Sequence, residues 1–333
     1  MFGLEDKSVK KYIITDKRLG KGSSATVYRG YNKETKEKVA VKIFELDNVN
    51  KKIKRRAFRE INILKTLDHP NIIKIYDYFH SKENNNIYLF LEYCENGCLK
   101  KFLGEGGYLE ERNAKKIMKQ IRNGIKYLYE NNIFHRDIKP GNILLNSKYK
   151  VKIADFGLST FNTSGHFYKL CGSPYYMSPE ILVSSKYTRI SDIWSLGLVM
   201  FNLLYGYHPL KKKKDIISLI NFYKSNKEID IPPGIRPDDA NISEEGIDLL
   251  KRMLRKKNRI EWNNLFNHPW FGNNRKDSMT KIEVDINEEE KEVENINSIC
   301  YSDDIQHYKD TYTGKESELV SFQKISCNIS RTL

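Results

Sequence analysis

Two short polar stretches constrain the fold of this chain more than any other feature of its sequence. They are IFHRDIKPGN at residues 133–142 and KIADFG at residues 152–157. The apolar runs NILL and YKVKI lie between them and predict a β-hairpin. A hairpin brings its two ends together, so the polar residues that flank it are expected to share one site. Ordinary polar loops are a poor explanation, because many residue types are specified here at fixed spacing.

Phosphoryl transfer is the chemistry that suits these polar residues. It needs a carboxylate that orients the attacking hydroxyl and oxygen ligands that hold Mg²⁺ on the phosphates. Asp137 fits the first need, and Asn142 and Asp155 fit the second. We interpret His135 as a core residue, because Asp137 already supplies the base.

A glycine-rich turn near the N-terminus predicts a second part of this site. Glycines let backbone amides pass close to phosphates without side chains in the way. Alone this signal is weak, since many hairpins use glycine, and it is not the dinucleotide fingerprint, because a strand follows it. The candidate nucleotide-binding residues of the turn are Leu19, Gly20, Lys21, Gly22, Ser23, Ser24, Ala25, Thr26 and Val27.

Lys42 ends the apolar stretch VAVK, which lies on the second predicted strand after the glycine turn. Burial of an ammonium group is costly unless the group is paired. The natural partner is Glu60, on a helix predicted from about Ile53 to Leu67. An edge-strand lysine with a solvated head is the alternative. The glycine turn upstream favours a phosphate-holding lysine that Glu60 keeps in place.

The order of predicted elements indicates two unequal lobes. Five short β-branched runs and one helix occupy the first ninety residues, and helix-period patterns dominate afterwards. We predict an α+β protein with an N-terminal extension at 1–11 and a domain at 12–271. The domain divides into an N-lobe at 12–95 and a C-lobe at 96–271. Residues 272–333 are expected to form an acidic, flexible tail.

Charge is spread unevenly along the chain. The net charge is +14, yet residues 272–333 hold 8 Lys and Arg against 13 Asp and Glu, which leaves +19 for the rest. A body this basic attracts acidic partners or phosphates. Nucleic-acid binding is therefore an alternative, although the chain lacks paired zinc ligands or aromatic-interleaved basic strands. The run from Lys51 to Arg56, with Arg59, is either a solvated helix face or a docking patch for an acidic partner, the tail included.

No targeting or membrane signal stands out in the sequence. The longest apolar stretch, Leu196 to Tyr205, is far shorter than the ~20 residues that span a bilayer. The start MFGLEDKSVKK lacks a signal-peptide core, and Phe2 stands where myristoylation requires glycine. We predict a monomeric, cytoplasmic (intracellular) protein without a membrane span.

Taken together, these motifs resemble those of the eukaryotic-type protein kinases, from about Tyr12 to Phe271. The order matches: glycine loop, VAVK, helix glutamate, hinge, HRDIKPGN, DFG, then SPE in place of APE, and DIW. The resemblance implies the two-lobed kinase fold, ATP and Mg²⁺ as cofactors, and protein substrates. Lys139, two residues after Asp137, is the serine/threonine pattern of that family. The residues implied to be catalytic are Asp137 as base, Lys139, Lys42 and Glu60.

The same resemblance implies where the nucleotide lies. The adenine is expected in the cleft between the lobes, bonded to hinge backbone near Glu92 and Cys94, with Ala40 and Leu144 lining it and Leu91 as gatekeeper. The internal spine is expected to comprise Leu64, Ile75, His135 and Phe156, anchored by Asp192. Arg259 is expected to pair with Glu180. The turn ending in Ala25, with LCGSPYYMSPEIL, resembles polo-like and ULK (autophagy-initiating) kinases.

Two departures from the family pattern bear on regulation and specificity. Lys169 occupies the position of the phosphothreonine that Arg136 grips in many kinases. We hypothesise that the loop is ordered without phosphate or that Thr163, Ser164 or Tyr168 substitutes; mass spectrometry of the active protein would distinguish these. Cys98 and Gly141 stand where arginine-directed kinases carry acidic residues. A pseudokinase scaffold is the main alternative function, and the complete catalytic set disfavours it.

Overall fold

The computed structural model describes residues 7–22, 24–46, 51–104, 106–161, 167–168, 172–213, 215–232 and 242–272. Every structural statement below refers to these residues. The predictions for Ser23, Thr163, Ser164, Lys169 and the tail beyond Gly272 lie outside them, as does the prediction for the Tyr168 side chain.

A six-stranded antiparallel sheet and one helix, α1, form the N-terminal lobe. The spatial order of the strands is β1-β2-β3-β4-β6-β5. The inner strands are buried on both faces of the sheet: in β4, Val39 and Val41 pack in one apolar cluster, and Phe44 packs in the other, on the opposite face. The elements are β1 Lys7–Val9, β2 Tyr12–Lys21, β3 Thr26–Asn32, β4 Lys38–Glu45, α1 Lys51–Leu64, β5 Ile75–Ser81 and β6 Asn86–Glu92.

The lobe has one strand more than the sequence predicted. β1 falls in the stretch assigned to the N-terminal extension, and it pairs with β2 through Lys7↔Ile14 and Val9↔Tyr12. Three residues are too few to show an alternating pattern, so nothing in the sequence marked this strand. Helix α1 begins two residues earlier than expected and ends at Leu64, three residues before the predicted end.

The C-terminal lobe is mainly helical, as predicted. Its central helix α5 is apolar almost all round and is buried on nearly every side, as expected for a helix that other helices surround. The helices are α2 Leu99–Leu103, α3 Glu111–Glu130, α4 Pro179–Ser184, α5 Ser191–Tyr205, α6 Ile216–Lys224, α7 Glu244–Met253 and α8 Trp262–Phe266. The strands are β7 Ile133–Phe134, β8 Ile143–Leu145, β9 Val151–Ile153, β10 Thr160–Phe161, β11 Phe167–Tyr168 and β12 Lys186–Tyr187.

The predicted hairpin between the two polar motifs is present and lies where the lobes meet. β8 pairs with β9 in antiparallel register. The segment after β6 is tied to β8, because Leu145 N donates to Gly97 O at 2.8 Å. β9 is tied to the N-lobe, because Ile73 N donates to Ile153 O at 2.9 Å. This is the α+β, two-lobed arrangement that the sequence predicted.

Within the described ranges, no helix is both long and apolar enough to cross a membrane.

Candidate active site

The β8–β9 hairpin brings the two polar motifs side by side. Ile143 pairs with Ile153, and just beyond that pair Ala154 N donates to Asn142 O at 2.9 Å. Asn142 therefore lies next to the backbone that leads into Asp155. The two residues predicted to hold Mg²⁺ come from opposite ends of one hairpin, as the sequence suggested.

Asp137 is held in a single orientation by four donors. Its Oδ1 accepts from Ser173 N and from Ser173 Oγ, both at 3.0 Å. Its Oδ2 accepts from Asn142 Nδ2 at 2.9 Å and lies 3.3 Å from Lys139 Nζ. Lys139 Nζ also donates to Ser173 Oγ at 2.6 Å. With its side chain only 8% exposed, Asp137 is a buried, oriented carboxylate.

The backbone before Asp137 is fixed by a second buried carboxylate. Asp192 accepts from His135 N at 3.0 Å and from Arg136 N at 3.1 Å. Arg136 has φ +70° and Asp155 has φ +64°, in the left-handed region that non-glycine residues seldom adopt. Such conformations persist where surrounding contacts impose them, and they concentrate at functional sites. The anchoring role expected of Asp192 is present in this geometry.

Lys42 joins two carboxylates from different parts of the chain. Its Nζ lies 2.8 Å from both carboxylate oxygens of Glu60 and 2.9 Å from Asp155 Oδ1. The Lys42 and Glu60 side chains are 10% and 1% exposed. The alternative of an edge-strand lysine with a solvated head is therefore wrong: β4 is an inner strand, between β3 and β6.

The charges in this cluster shift one another's pKa values. Burial alone would lower the pKa of Lys42, but the Asp155 and Glu60 carboxylates raise it, so the ammonium stays charged. Burial opposes ionisation of Asp155, yet the Lys42 ammonium holds the pKa of that carboxyl well below its usual range. For Glu60, burial outweighs the effect of Lys42 and raises the pKa. Asp155 is thus ionised and ready to bind a cation.

The expected internal spine connects this cluster to the C-lobe. The rings of His135 and Phe156 meet edge to face with centroids 5.0 Å apart, and both side chains are buried. His135 Nδ1 accepts from Asp137 N at 3.3 Å, and Nε2 lies 3.0 Å from Ala154 O. Leu64 is buried and Ile75 is half-buried in the same core cluster. His135 is a core residue with structural hydrogen bonds, as the sequence analysis proposed.

The glycine turn joins β2 to β3 above the cleft. Gly20 pairs with Val27 and Lys21 with Thr26, and Gly22 N donates to Ala25 O at 2.8 Å across the turn. Leu19, at the start of the turn, is half-buried. Gly30, further along β3, has no room for a side chain, because an added Cβ would lie 2.5 Å from Ile13 O.

One contact of the glycine turn was not predicted. Arg56 Nη1 on α1 donates to Ser24 Oγ at 2.8 Å. Arg56 precedes Glu60 by one helical turn, so the helix that holds Lys42 also reaches the tip of the turn. The four-residue spacing from Glu60 was the signal that could have revealed it.

Three residues expected around the adenine, Ala40, Leu91 and Leu144, take part in backbone pairings. Ala40 pairs with Leu91 across β4 and β6, and Leu144 of β8 faces Cys98 in an isolated bridge. Burial raises the pKa of the Cys94 thiol to about 12, so it stays protonated. Glu92 forms an ion pair that the sequence pattern did not predict: Lys152 Nζ lies 2.8 Å from Glu92 Oε2.

The donor set at Asn142 and Asp155 fits a magnesium ion. Mg²⁺ prefers oxygen ligands and binds through one or two carboxylates plus substrate phosphates. Asn142 Nδ2 donates to the Asp137 carboxylate and to the Asp137 carbonyl oxygen. The amide oxygen of Asn142 therefore faces away from Asp137. Asp155 is ionised. No group of three or more His, Cys, Asp or Glu side chains forms a metal cage in the described chain.

A buried ion pair supports the segment that carries Ser173. Arg259 donates to both oxygens of Glu180, at 2.8 and 3.1 Å, and to Ile190 O at 3.0 Å. The Arg259 side chain is 2% exposed and that of Glu180 is 23% exposed. Although burial opposes it, hydrogen bonding from Arg259 lowers the pKa of Glu180. The pairing expected from the sequence is present.

Replacing Arg259 with methionine is expected to destabilise the protein by roughly 4 kcal/mol, because it leaves a mostly buried carboxylate without its partner. For a domain of this size we expect a fall in Tm of about 10 °C in calorimetry or thermal-shift measurements. Arg252→Met is the matched control, since Arg252 pairs with Asp248 on an exposed helix face. It should cost less than about 1 kcal/mol. Equal shifts for the two variants would contradict a supporting role for the buried pair.

Comparison with known proteins places most of the chain in one family. The Protein kinase domain model matches residues 13–271. Serine/threonine-protein kinase atg1 of Dictyostelium discoideum is 38% identical over 283 residues, which cover 82% of this chain and 41% of that protein. Serine/threonine-protein kinase ULK3 of Mus musculus is 37% identical over 265 residues, 78% of this chain and 54% of that protein.

A further relative is equally similar. The probable serine/threonine-protein kinase MARK-C of Dictyostelium discoideum is 38% identical over 259 residues, 76% of this chain and 32% of that protein. The chain thus spans between about a third and about half the length of these three curated relatives.

Proposed function

Since the chain belongs to the protein kinase family, we propose that it is an ATP-dependent serine/threonine protein kinase. It transfers the γ-phosphate of ATP to Ser and Thr hydroxyls of protein substrates, with Asp137 as catalytic base. The observation that carries the proposal is Asp137 itself, held by Ser173, Asn142 and Lys139 beside the Lys42 cluster. The resemblance to ULK kinases inferred from the sequence is confirmed by matches to atg1 and ULK3 proteins.

Asp137 prepares the nucleophile. A substrate hydroxyl that donates to the carboxylate has an oxygen lone pair directed at the phosphorus. As the new P–O bond forms, the hydroxyl proton passes to Asp137, the bond from the γ-phosphorus to the β,γ-bridging oxygen of ATP breaks, and ADP leaves. Four fixed donors keep the carboxylate from rotating, so little reorganisation is needed when the substrate arrives. We assign Lys139 to the transferred phosphoryl group, because its ammonium lies 3.3 Å from the same carboxylate.

Lys42 orients the nucleotide from the other side of the cleft. Its ammonium is fixed by Glu60, so it can meet the phosphates of ATP without moving its partner. The backbone of the glycine turn, including Gly20 and Gly22, would cover the phosphates. We assign Ala40, Leu144, and hinge backbone at Glu92 and Cys94 to the adenine.

Asn142 and Asp155 are the residues that would hold Mg²⁺. When bound, the ion neutralises charge on the phosphate oxygens of the nucleotide. The Asp155 carboxylate now pairs with Lys42 at 2.9 Å, so the lysine keeps that side chain at the cleft. Asn142 serves two roles, because the same amide group also orients Asp137.

The serine/threonine assignment rests on Lys139 and Ser173. Lys139 Nζ bonds Ser173 Oγ at 2.6 Å, which joins the catalytic loop to the segment that would receive the substrate. We further propose a cytoplasmic protein, because a protein kinase acts where ATP and protein substrates occur together. The monomeric state stays a prediction from the sequence.

Transfer of radiolabelled γ-phosphate to a generic protein substrate, followed by phosphoamino-acid analysis, tests the function. We expect phosphoserine and phosphothreonine, with Mg²⁺ required. ATP binding without transfer would favour a pseudokinase scaffold. Salt-sensitive DNA binding with no turnover of ATP would favour a nucleic-acid-binding protein instead.

Substrate choice is expected to show no strong demand for arginine three residues before the phosphorylated residue. The positions that would carry pairing carboxylates hold Cys98 and Gly141, both of them buried. Without a carboxylate, a substrate arginine gains at most a weak ion pair, worth less than about fivefold in kcat/KM. Peptides that differ only at this position (Arg, Lys, Leu or Met) measure the effect. A peptide array dominated by arginine there would refute the prediction.

A further inference from the structure

A groove runs between helix α1 and the strand that follows the DFG motif, outside the site described above. It has a volume of about 610 Å³ and is formed by side chains of α1 and of the stretch that contains β10. Its lining includes Lys51, Lys54, Arg55, Phe58, Arg59 and Phe161.

Four cations line this groove without any counter-charge in the described part of the chain. Lys51, Lys54 and Arg55 are exposed, and Arg59 is half-buried. None of these four side chains forms an ion pair with a described residue. The first turn of α1 holds no acidic residue, so the positive end of the helix dipole adds to their mutual repulsion. An anionic occupant would relieve this repulsion.

The groove also presents aromatic surface to solvent. Phe161 is 43% exposed, although most large apolar side chains in the described ranges are buried. Phe58, half-buried, faces the same groove from α1. Charge and exposed aromatic surface together favour a peptide that is acidic and carries apolar residues over a free inorganic anion.

The chain contains such a peptide in its own C-terminal tail. Residues 282–296 read IEVDINEEEKEVENI and hold seven Asp and Glu against one Lys. Apolar residues are interspersed with the acidic ones: Ile282, Val284, Ile286, Val293 and Ile296. This composition complements the groove in both charge and apolar character.

The tail is long enough to reach the groove from the end of the C-lobe. Nine residues separate Gly272 from Ile282 and span ~30 Å when extended, and the segment itself adds up to ~50 Å. A domain of this length has a radius of gyration of only ~18 Å. Intramolecular attachment also gives the segment an effective concentration that a weak ionic contact can use.

We propose that the acidic segment 282–296 docks within the same chain on the basic groove formed by α1 and the β10 stretch. The carboxylates of the segment pair with Lys51, Lys54, Arg55 and Arg59, and its apolar residues contact Phe58 and Phe161. This contact does not depend on phosphotransfer, so it can be tested in the inactive Asp137→Asn chain as well as in the wild type.

Zero-length carbodiimide crosslinking of the full chain tests the docking directly. The reagent joins carboxylates to lysine amines only where they are in contact. With mass spectrometry we expect links from Glu288, Glu289 or Glu290 to Lys51 or Lys54. The yield should fall several-fold between about 0.1 M and 1 M salt, because the Debye length shrinks from ~10 to ~3 Å. Lys212, an exposed lysine of the C-lobe, is the internal control and should stay unlinked.

A mixture of ¹⁴N- and ¹⁵N-labelled chains separates the other occupants. Links within one isotope support the proposal. Links that join the two isotopes show docking by a second copy and overturn it. Links to other lysines only, or none, overturn it as well, and would leave the groove to a separate acidic protein.

A charge swap supplies an independent readout by hydrogen exchange of peptides from α1. Two double variants reverse the charge on one side of the contact: Lys51→Glu with Lys54→Glu, and Glu289→Lys with Glu290→Lys. Each should raise the exchange rate of α1 amides several-fold. The variant that carries all four substitutions should restore protection. Glu316→Gln with Glu318→Gln, in another part of the tail, should leave exchange unchanged. Failure of the combined variant to regain protection, when both pairs lose it, contradicts a direct pairing.

Discussion

Replacing Asp137 with asparagine is expected to lower kcat by about 10²- to 10⁴-fold, the range that a positioned general base contributes. The amide cannot take the substrate proton. It also cannot satisfy both pairs of donors, because Ser173 donates to one oxygen while Asn142 and Lys139 approach the other. The NH₂ group of the new amide therefore faces other hydrogen-bond donors, which leaves these groups without acceptors. In addition to the lower kcat, we expect the free energy of unfolding to fall by about 1–3 kcal/mol.

Steady-state kinetics with varied ATP separates chemistry from binding. The KM for ATP should change little, since the residues assigned to the nucleotide are intact, and nucleotide binding can be followed by thermal shift. Asp77→Asn is the control and should keep full activity. Asp77 lies on the edge strand β5, and its carboxylate pairs with Lys10. A large rise in KM with an unchanged kcat would show that Asp137 acts in binding and not in catalysis.

Replacing Lys42 with methionine is expected to reduce kcat/KM by at least about 10²-fold, as for removal of one preorganised charge from a phosphate site. The structural consequence is equally specific. Glu60 is 1% exposed at its side chain and loses its only cationic partner among the described residues, and Asp155 loses the same ammonium. The loss of a buried partner costs roughly 3 kcal/mol at pH 8, where the unfolded chain has Glu60 ionised and the folded chain must either protonate it or leave it without a cation.

The destabilisation of the Lys42→Met chain should depend on pH with a defined sign. Burial already raises the pKa of Glu60 above the usual 4.5, and Lys42 is the group that opposes this rise. In the wild type, folded Glu60 already binds a proton more tightly than the unfolded chain does, and without Lys42 its folded pKa rises further. Stability from such a group is present at low pH and is lost as pH rises through the folded pKa. The Tm difference from wild type should therefore be larger at pH 8 than at pH 5.

Lys38→Met is the matched control for Lys42→Met. Lys38 lies on the same strand, β4, but is exposed at its start. The control should retain activity and show no change of ΔTm with pH. A Lys42→Met chain whose ΔTm is the same at pH 5 and pH 8 would contradict the assignment of Glu60 as a buried, proton-binding partner.

The sequence predicted the site well where spacing along the chain determines spacing in the molecule. Asn142 and Asp155 flank a short hairpin, so their proximity follows from two apolar runs and the polar residues at their ends. The Lys42–Glu60 pair could be inferred because an unpaired lysine is costly on an inner strand, and the next helix offered one inward-facing glutamate.

Contacts that depend on the packing of distant elements could not be predicted from pattern alone. Lys152 lies between two buried residues on the short strand β9. Nothing in the neighbouring sequence indicates that its Nζ lies 2.8 Å from Oε2 of Glu92, which belongs to another strand. The bond from Arg56 to Ser24 requires the position of α1 relative to the glycine turn. β1 could not be predicted for a different reason: three residues are too few to show the alternation of apolar and polar side chains that marks a strand.

The groove beside α1 shows the same limit. The basic run from Lys51 to Arg56 was visible in the sequence, but either a solvated face or a docking patch fitted it. Only the fold distinguishes Arg56, which donates to Ser24, from Lys54 and Arg55, which form no ion pair with a described residue and line the groove together with Phe161.

The most direct test of the proposed function is the transfer of γ-phosphate by the full chain, measured with Mg²⁺ and a generic protein substrate beside the Asp137→Asn variant. The predicted result is phosphoserine and phosphothreonine from the wild type and at least a hundredfold less from the variant, with ATP bound by both. Phosphate transfer that is equal in the two proteins, or absent from a wild-type chain that binds ATP, would contradict Asp137 as the base of a protein kinase.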